Sequence, residues 1–364
     1  MIKIALHAPL LGNGGIVSWS KRFINTFPDD KFKVIPVNSI LTKKNNLKNR
    51  CIRAIVGIFE IFFSLNNLSR LYRKEKFDIM HSTTSCGNGL IRDYVIAKWA
   101  QSKSIKTILH CHYGNIPNVI KGGGVMSYLL KKTFTKYDQI WVLDNYTFEE
   151  LKKFPDIQNR VRIVPNNIDV CNIDHITNKE YLNYAFIANL HRTKGIIELV
   201  KAFSKTHLNI YLHIAGPDPE GLIEILKNIA GNKWGNKIKY YGLLPNENVR
   251  DLLKTCDALI LPTYFPGEAF PISILEAMSY GKLVISTPRA AIPDMLSYGN
   301  ESKCGIIIPE KSADAILDSI QWISTHKDEA DILCRNAYAK VLQCYNTPTV
   351  YDTIFRPNYL DLLN

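Results

Sequence analysis

The sequence predicts an α/β protein built from two doubly wound, Rossmann-like domains with parallel sheets. Short apolar runs bounded by turn residues alternate with helical patterns along the whole of the 364 residues, as expected for strands joined by crossover helices. The runs form two sets of about six, and a polar stretch without clear periodicity, 167–181, separates them. With 46% apolar and 21% charged residues, the chain reads as globular and is long enough for two domains of ordinary size.

In the first half the expected strands are 3–9, 33–38, 78–82, 107–112, 139–143 and 162–165. In the second they are 185–190, 210–215, 238–241, 258–262, 283–286 and 305–308. The resulting plan is a first domain 1–167, a linker 168–181, a second domain 182–345, and a C-terminal segment 346–364 free to return to the first domain. Facing domains of this kind place a ligand in the cleft between them, at the carboxyl ends of the strands.

The net charge of +12 is unevenly spread. Residues 1–180 hold 27 lysines and arginines against 14 acids, and the remainder holds 18 against 19. An acidic partner for the first half is implied, either a nucleic acid or an anionic membrane surface and its phospholipid-like ligands. No recognition-helix, zinc-knuckle or aromatic-basic strand signature supports nucleic acid. The opening segment lacks a signal peptide's apolar core and cleavage site, and no run approaches a membrane span. A cytoplasmic place is expected, with peripheral attachment to the inner face of the cell membrane open. The eight cysteines, at 51, 86, 111, 171, 256, 304, 334 and 344, form no Cys-x-x-Cys pair and read as reduced core thiols.

The most informative stretch runs from Leu261 to Met278 and holds Glu268 and Glu276 eight positions apart. Residues 258–261 read as a buried strand, the segment with two prolines and a glycine as a loop, and Pro271 as the first-turn proline of a helix carrying Glu276. Backbone N–H groups of Ala269, Phe270 and Ile272 would then stand at a helix N-terminus, where a phosphate is favourably held. The two glutamates can accept hydrogen bonds from sugar hydroxyls on either side of it. A helix capped by one acid, with the second solvated, is the plainer reading.

Other motifs follow the same pattern. The glycine loop with Gly14 and Gly15 follows the first strand, but Val17 and Asn38 break a dinucleotide fingerprint. It either lets the backbone approach a ligand or makes a tight turn. His110 and His112 share one strand face, with Cys111 on the other, which suits a hydrogen bond from His112 to a sugar hydroxyl or a structural role, but not a metal. In the strand-to-helix loop 189–195, Lys194 can neutralise a diphosphate leaving group and Arg192 can clamp it, unless the loop is merely basic and solvated. Loss of Lys194 is then expected to lower turnover and leave folding nearly unchanged. The apolar stretch 51–65 is flanked by Lys43, Lys44, Lys48, Arg50 and Arg53 on one side and Arg70, Arg73, Lys74 and Lys76 on the other. It is either a buried core helix or one whose apolar face dips into an anionic membrane. No Asp-x-Asp or His-Glu-x-x-His spacing occurs, so no protein-held metal and no cofactor are expected.

Together these pieces resemble glycosyltransferase family 4. The resemblance covers nearly the whole chain and is densest over 185–294. Its most specific part is Glu268 and Glu276 followed by Ala277-Met278 and Gly281. It implies the GT-B fold, retention of anomeric configuration and a nucleotide-diphosphate sugar as donor. It further implies that Glu276 holds the ribose, Glu268 contacts the donor sugar near its reacting carbon, Lys194 binds the diphosphate, Gly15 belongs to the acceptor-side loop, and His112 stands near the donor sugar. Where the family usually has Gly-Arg, this chain has Ala188-Asn189, which removes one diphosphate contact, and Ala269 replaces a common glycine. The expected activity is metal-independent hexosyl transfer to a saccharide acceptor, lipid-linked, in cell-surface polysaccharide or glycolipid synthesis. A sugar-nucleotide epimerase of similar shape and a noncatalytic membrane- or nucleic-acid-binding protein are the alternatives, and neither accounts for Glu268, Glu276 and Lys194 together.

Overall fold

The computed structural model describes residues 1–364 except 13, 28–29, 41–49, 88, 171, 174–179 and 300–301, and except the side chains of 50–55. Much of the expected linker thus lies outside the described residues. The chain divides into two compact units, 1–166 with 348–364, and 167–347.

In the first unit, β1 (Ile2–Ala8), β2 (Phe32–Asn38), β3 (Ile79–Thr84), β4 (Lys106–Cys111), β5 (Gln139–Val142) and β6 (Val161–Ile163) form one sheet. Their order is β2-β1-β3-β4-β5-β6, and every neighbouring pair is parallel. The connecting helices are α1 (Gly15–Thr26), α2 (Arg50–Lys74), α3 (Leu90–Gln101), α4 (Ile116–Gly122), α5 (Gly124–Phe134) and α6 (Asn145–Lys152). Strand side chains alternate, so Ala5 of β1 enters one core with Leu68, Ile96 and Phe134, while Ile4, Leu6 and Ala8 enter the other with Trp19 and Phe23. Burial on both faces is why these strands read as continuous apolar runs. The second core is closed by the C-terminal segment, whose Tyr351, Phe355 and Tyr359 recur every four residues and form one stripe against Trp19, Phe23 and Trp141.

In the second unit, β7 (Asn183–Ile187), β8 (Tyr211–Ala215), β9 (Ile238–Tyr240), β10 (Ala258–Leu261) and β11 (Leu283–Ser286) pair in parallel. The hairpin β12 (Ser297–Tyr298) and β13 (Ser302–Lys303) stands apart, and β14 (Ile306–Ile307) completes a sheet ordered β14-β11-β10-β7-β8-β9. Helix α7 (Ile196–Lys205) covers it with Ile196, Leu199, Val200 and Phe203.

All twelve expected strands are present, with ends displaced by at most three residues. Two displacements matter. The strand expected over 185–190 stops at Ile187, which moves Ala188 and Asn189 into the following loop, and β4 stops at Cys111, which leaves His112 just beyond it. The two-residue hairpin strands are too short to leave a periodic signal. Each sheet has a point where successive connections turn in opposite directions, between β1 and β3 in the first and between β7 and β10 in the second. Loops leaving such neighbours diverge and open a crevice, the usual ligand position in this architecture.

Candidate functional site

The second unit brings Lys194 and Glu268 together at that crevice. Lys194 lies on the loop after β7, in the short 3-10 turn Arg192–Lys194, and Glu268 on the loop after β10. The loops can approach because residue 195 is glycine. Its φ is 77°, and a Cβ there would lie 2.1 Å from the Pro262 carbonyl oxygen. A backbone bond from the Tyr264 N–H to the Thr193 carbonyl, 2.7 Å, ties them. Lys194 Nζ then donates to Glu268 Oε2 at 2.5 Å, and Thr263 Oγ1 donates to the same oxygen at 2.9 Å. Both side chains are largely buried.

Around this pair the site is aromatic and polar by turns. The Phe265 ring lies 5.0 Å from Lys194 Nζ and stacks on His191. Glu220 holds the loop from the other side: its carboxylate lies 2.8 Å from His191 Nδ1 and accepts from the Arg192 N–H at 3.1 Å. The His191 hydrogen bond, aided by the Arg192 N–H, keeps the Glu220 carboxyl below its ordinary range. Arg192 is thus anchored by its backbone while its side chain is exposed. Arg289 donates to the Tyr264 carbonyl and pairs with Glu310.

Pro271 is the N-cap of the helix Ile272–Ser279, one position earlier than the sequence implied. A first turn lacks intrahelical partners for its N–H groups, so the end that follows Ala269 and Phe270 offers donors and a positive dipole to an anion. The Phe270 side chain is buried and packs edge-on against Tyr345. Glu276 lies more than a turn along this helix and is half-buried. Sequence reasoning missed Thr263, Phe265, Glu220 and Arg289. Only Thr263 carried a local signal, as a hydroxyl five residues before an acid in one loop.

The first unit holds Gly14, Gly15 and His112, and all other sequence-derived site residues lie in the second. Gly14 caps α1 at φ 149°, a conformation that excludes most side chains, and a Cβ at either glycine would point into open space. His112 ends a column of rings: its centroid is 4.2 Å from His110, which is 5.5 Å from His81, and Trp19 touches all three. His81 Nδ1 and the Tyr359 hydroxyl are 2.6 Å apart. Burial pushes both His81 and His112 down to about 3, so these rings are neutral. His112 keeps some exposed surface, but its Nε2 is buried. His7, on the opposite sheet face, is likewise held well below its usual value by burial, with the Arg92 charge adding to the effect. Among the described residues, no group of three or more His, Cys, Asp or Glu side chains is placed to hold a metal. Of the described cysteines, five are buried and Cys344 is exposed, all as free thiols.

Residues 173–340 match the family described as glycosyl transferases group 1. The D-rhamnosyltransferase WbpZ of Pseudomonas aeruginosa is 26% identical over 162 residues, which is 44% of this chain and 41% of that protein. An uncharacterized glycosyltransferase of Methanocaldococcus jannaschii, MJ1069, is 22% identical over 80% of this chain and 75% of its own length. Sucrose-phosphate synthase from Thermosynechococcus elongatus superposes with a TM-score of 0.78 at 14% identity, covering 100% of this chain and 99% of its own. Anabaena HepE in complex with UDP superposes at 0.72 and 13% identity, covering 99% of this chain and 100% of its own.

Two predictions follow from this geometry. Lys194→Ala leaves Glu268 buried without its counter-charge, so it destabilises the second unit by about 3 kcal/mol, contrary to the expectation of unchanged folding drawn from sequence. Adding Glu268→Gln should recover most of that loss in denaturant unfolding, and a Lys194→Ala variant as stable as the parent would show that the pair does not form in solution. The second concerns pH. The folded pKa of His81 and His112, about 3, lies below the unfolded value of 6.5, so the unfolded chain gains protons first as pH falls. Stability contributed by the neutral rings is complete above pH 6.5 and declines towards pH 3, by roughly 1.4 kcal/mol per pH unit for each ring. Between pH 6.5 and 5, above the carboxylate range, His112→Gln should flatten the measured slope; identical slopes would mean that the ring titrates freely.

The chain has the GT-B fold, and its second unit carries the sequence pattern of the glycosyl transferases group 1.

Proposed function

We propose that the protein is a retaining, metal-independent glycosyltransferase. It moves a hexose-type sugar from a nucleoside diphosphate sugar to a lipid-linked saccharide in cell-surface polysaccharide synthesis, working on the cytoplasmic face of the membrane. The observation that carries this reading is the Lys194–Glu268–Thr263 cluster at the β7/β10 crevice, followed by a helix N-terminus. The group 1 match over the second unit and the relatives named for rhamnosyl transfer and colanic acid and O-antigen synthesis support it.

An arriving diphosphate competes with Glu268 for the Lys194 ammonium. Once Lys194 turns to the anion, Glu268 stays held by the Thr263 hydroxyl and presents a carboxylate to the sugar. The bond from the anomeric carbon to the diphosphate oxygen breaks with its electron pair leaving on the phosphate. The acceptor oxygen forms its bond to that carbon on the same face, and its proton passes to the departing phosphate oxygen. Charge stabilisation and positioning carry such a step, with no protein nucleophile. Lys194, Arg192 and the N–H groups near Ala269, Phe270 and Ile272 supply the positive field. Glu276 is assigned to the ribose, Gly14 and Gly15 to the acceptor side, and His112 to a sugar hydroxyl.

The glutamates should fail differently. Glu276→Gln should chiefly raise donor KM, because ribose hydroxyls do not change during reaction, whereas Glu268→Gln should lower kcat with little change in donor KM. Parental kinetics in both variants would return the motif to a helix-capping role. Chelator should leave turnover intact in the purified protein; full inhibition reversed by magnesium or manganese would overturn metal independence.

A further inference from the structure

Helix α2 is inside out between residues 58 and 64. Glu60 and Ser64 on its inner face are 2% and 0% exposed, while Phe59 and Phe62 on its outer face are 62% and 65% exposed, beside an exposed Ile58. Farther on the ordinary arrangement returns, with Leu68 buried and Arg70, Arg73 and Lys74 facing out. A helix that only covers a sheet turns its apolar stripe inward, and single exposed apolar residues are common, but two outward phenylalanines opposite buried polar groups are not.

The position of this stretch is set by length. At 25 residues α2 is about 37 Å long, whereas β2 and β3, at seven and six residues, span about 20–23 Å. The helix therefore runs past the carboxyl edge of the sheet at its N-terminal end. Crossover helices run antiparallel to the strands, so the N-terminal turns of α3 and α5 lie at the same edge, and α3 packs against both α2 and α5. There they expose Ile91, Tyr128 and an 84%-exposed Val125. Among the described residues of the first unit, half of the large apolar side chains left in water are these six, the others being Met1, Leu11, Tyr146, Ile163, Leu360 and Leu363 on other elements.

The charge is complementary to one occupant. Residues 1–180 carry the whole basic excess of the chain, 27 cations against 14 anions. Lys132 lies over the Tyr128 ring, 5.4 Å from its centroid, and Lys121 is exposed at the turn between α4 and α5. Aromatic and aliphatic side chains interleaved with lysines suit the boundary between acyl chains and anionic head groups. Among the described residues no helix is long and apolar enough to cross a membrane.

We propose that this edge of the first unit, formed by α2 and the N-terminal turns of α3 and α5, docks on an anionic lipid bilayer. It deepens the lipid-linked acceptor reading above and rests on that reading for the acceptor only. The test is sedimentation of the full chain with vesicles of phosphatidylglycerol mixed into phosphatidylcholine, and with phosphatidylcholine alone. The parent should bind the anionic vesicles only, less as salt rises. Phe59→Ser combined with Phe62→Ser should lower vesicle affinity at least about tenfold with unchanged circular dichroism and melting, and Trp322→Ser in the second unit should leave it unchanged. Equal binding of both lipids, no binding by the parent, or parental binding by the double variant would overturn the proposal. So would a dimer without lipid that the double variant dissociates, since a second copy would then cover the face. Nucleotide-sugar binding measured without vesicles tests the transferase reading separately.

Discussion

The buried ion pair between Lys194 and Glu268 is the constraint around which the second unit's crevice is arranged. Two charges taken out of water are costly unless they meet each other and further donors. Thr263 supplies the further donor, and Gly195 supplies the clearance that lets the loops after β7 and β10 come within reach. On the proposed reading, a buried lysine paired with a side-chain carboxylate exchanges it for a ligand phosphate without moving charge into an apolar place, and Thr263 then holds the released carboxylate.

The first unit solves a different electrostatic problem. It carries the chain's basic excess on its surface, yet its interior histidines, His7, His81, His110 and His112, are kept neutral by burial. A column of rings between Trp19, Trp141 and the C-terminal tyrosines is an apolar filler at neutral pH. Neutrality is what allows residues 348–364 to pack over it, because an imidazolium under Phe355 and Tyr359 would lack a counter-charge. The return of the C-terminus and the state of the histidines are thus one packing fact.

Cooperation between levels is plain in α2. Its residues 65–74 obey the helical stripe that builds the core, and residues 58–64 break it, where the helix has outrun the sheet it covers. Local sequence shows only an apolar run of ambiguous purpose. The reversal becomes visible once Glu60 is seen inside and Phe59 outside.

What the sequence determined by itself was the architecture and the identity of the motifs. Period-two and period-3.6 patterns are local, so all twelve strands of the two main sheets were legible, as was the strand-loop-helix placement of Glu268 and Glu276. Strand ends were less so: the Ala188–Asn189 segment and His112 look strand-like in composition, and Ala188 and His112 each keep one backbone bond to the end of a neighbouring strand, yet the ladders stop before them. Only the tertiary structure decided the partners. Lys194 and Glu268 are 74 residues apart, and nothing in either loop announces the other. The strand order that sets β7 beside β10 decides their meeting, as it decides that Glu220 grips the Arg192 loop and that Tyr359 reaches His81. Periodicity is written in neighbouring residues, whereas contacts across a switch point are written in the topology, which no single segment contains.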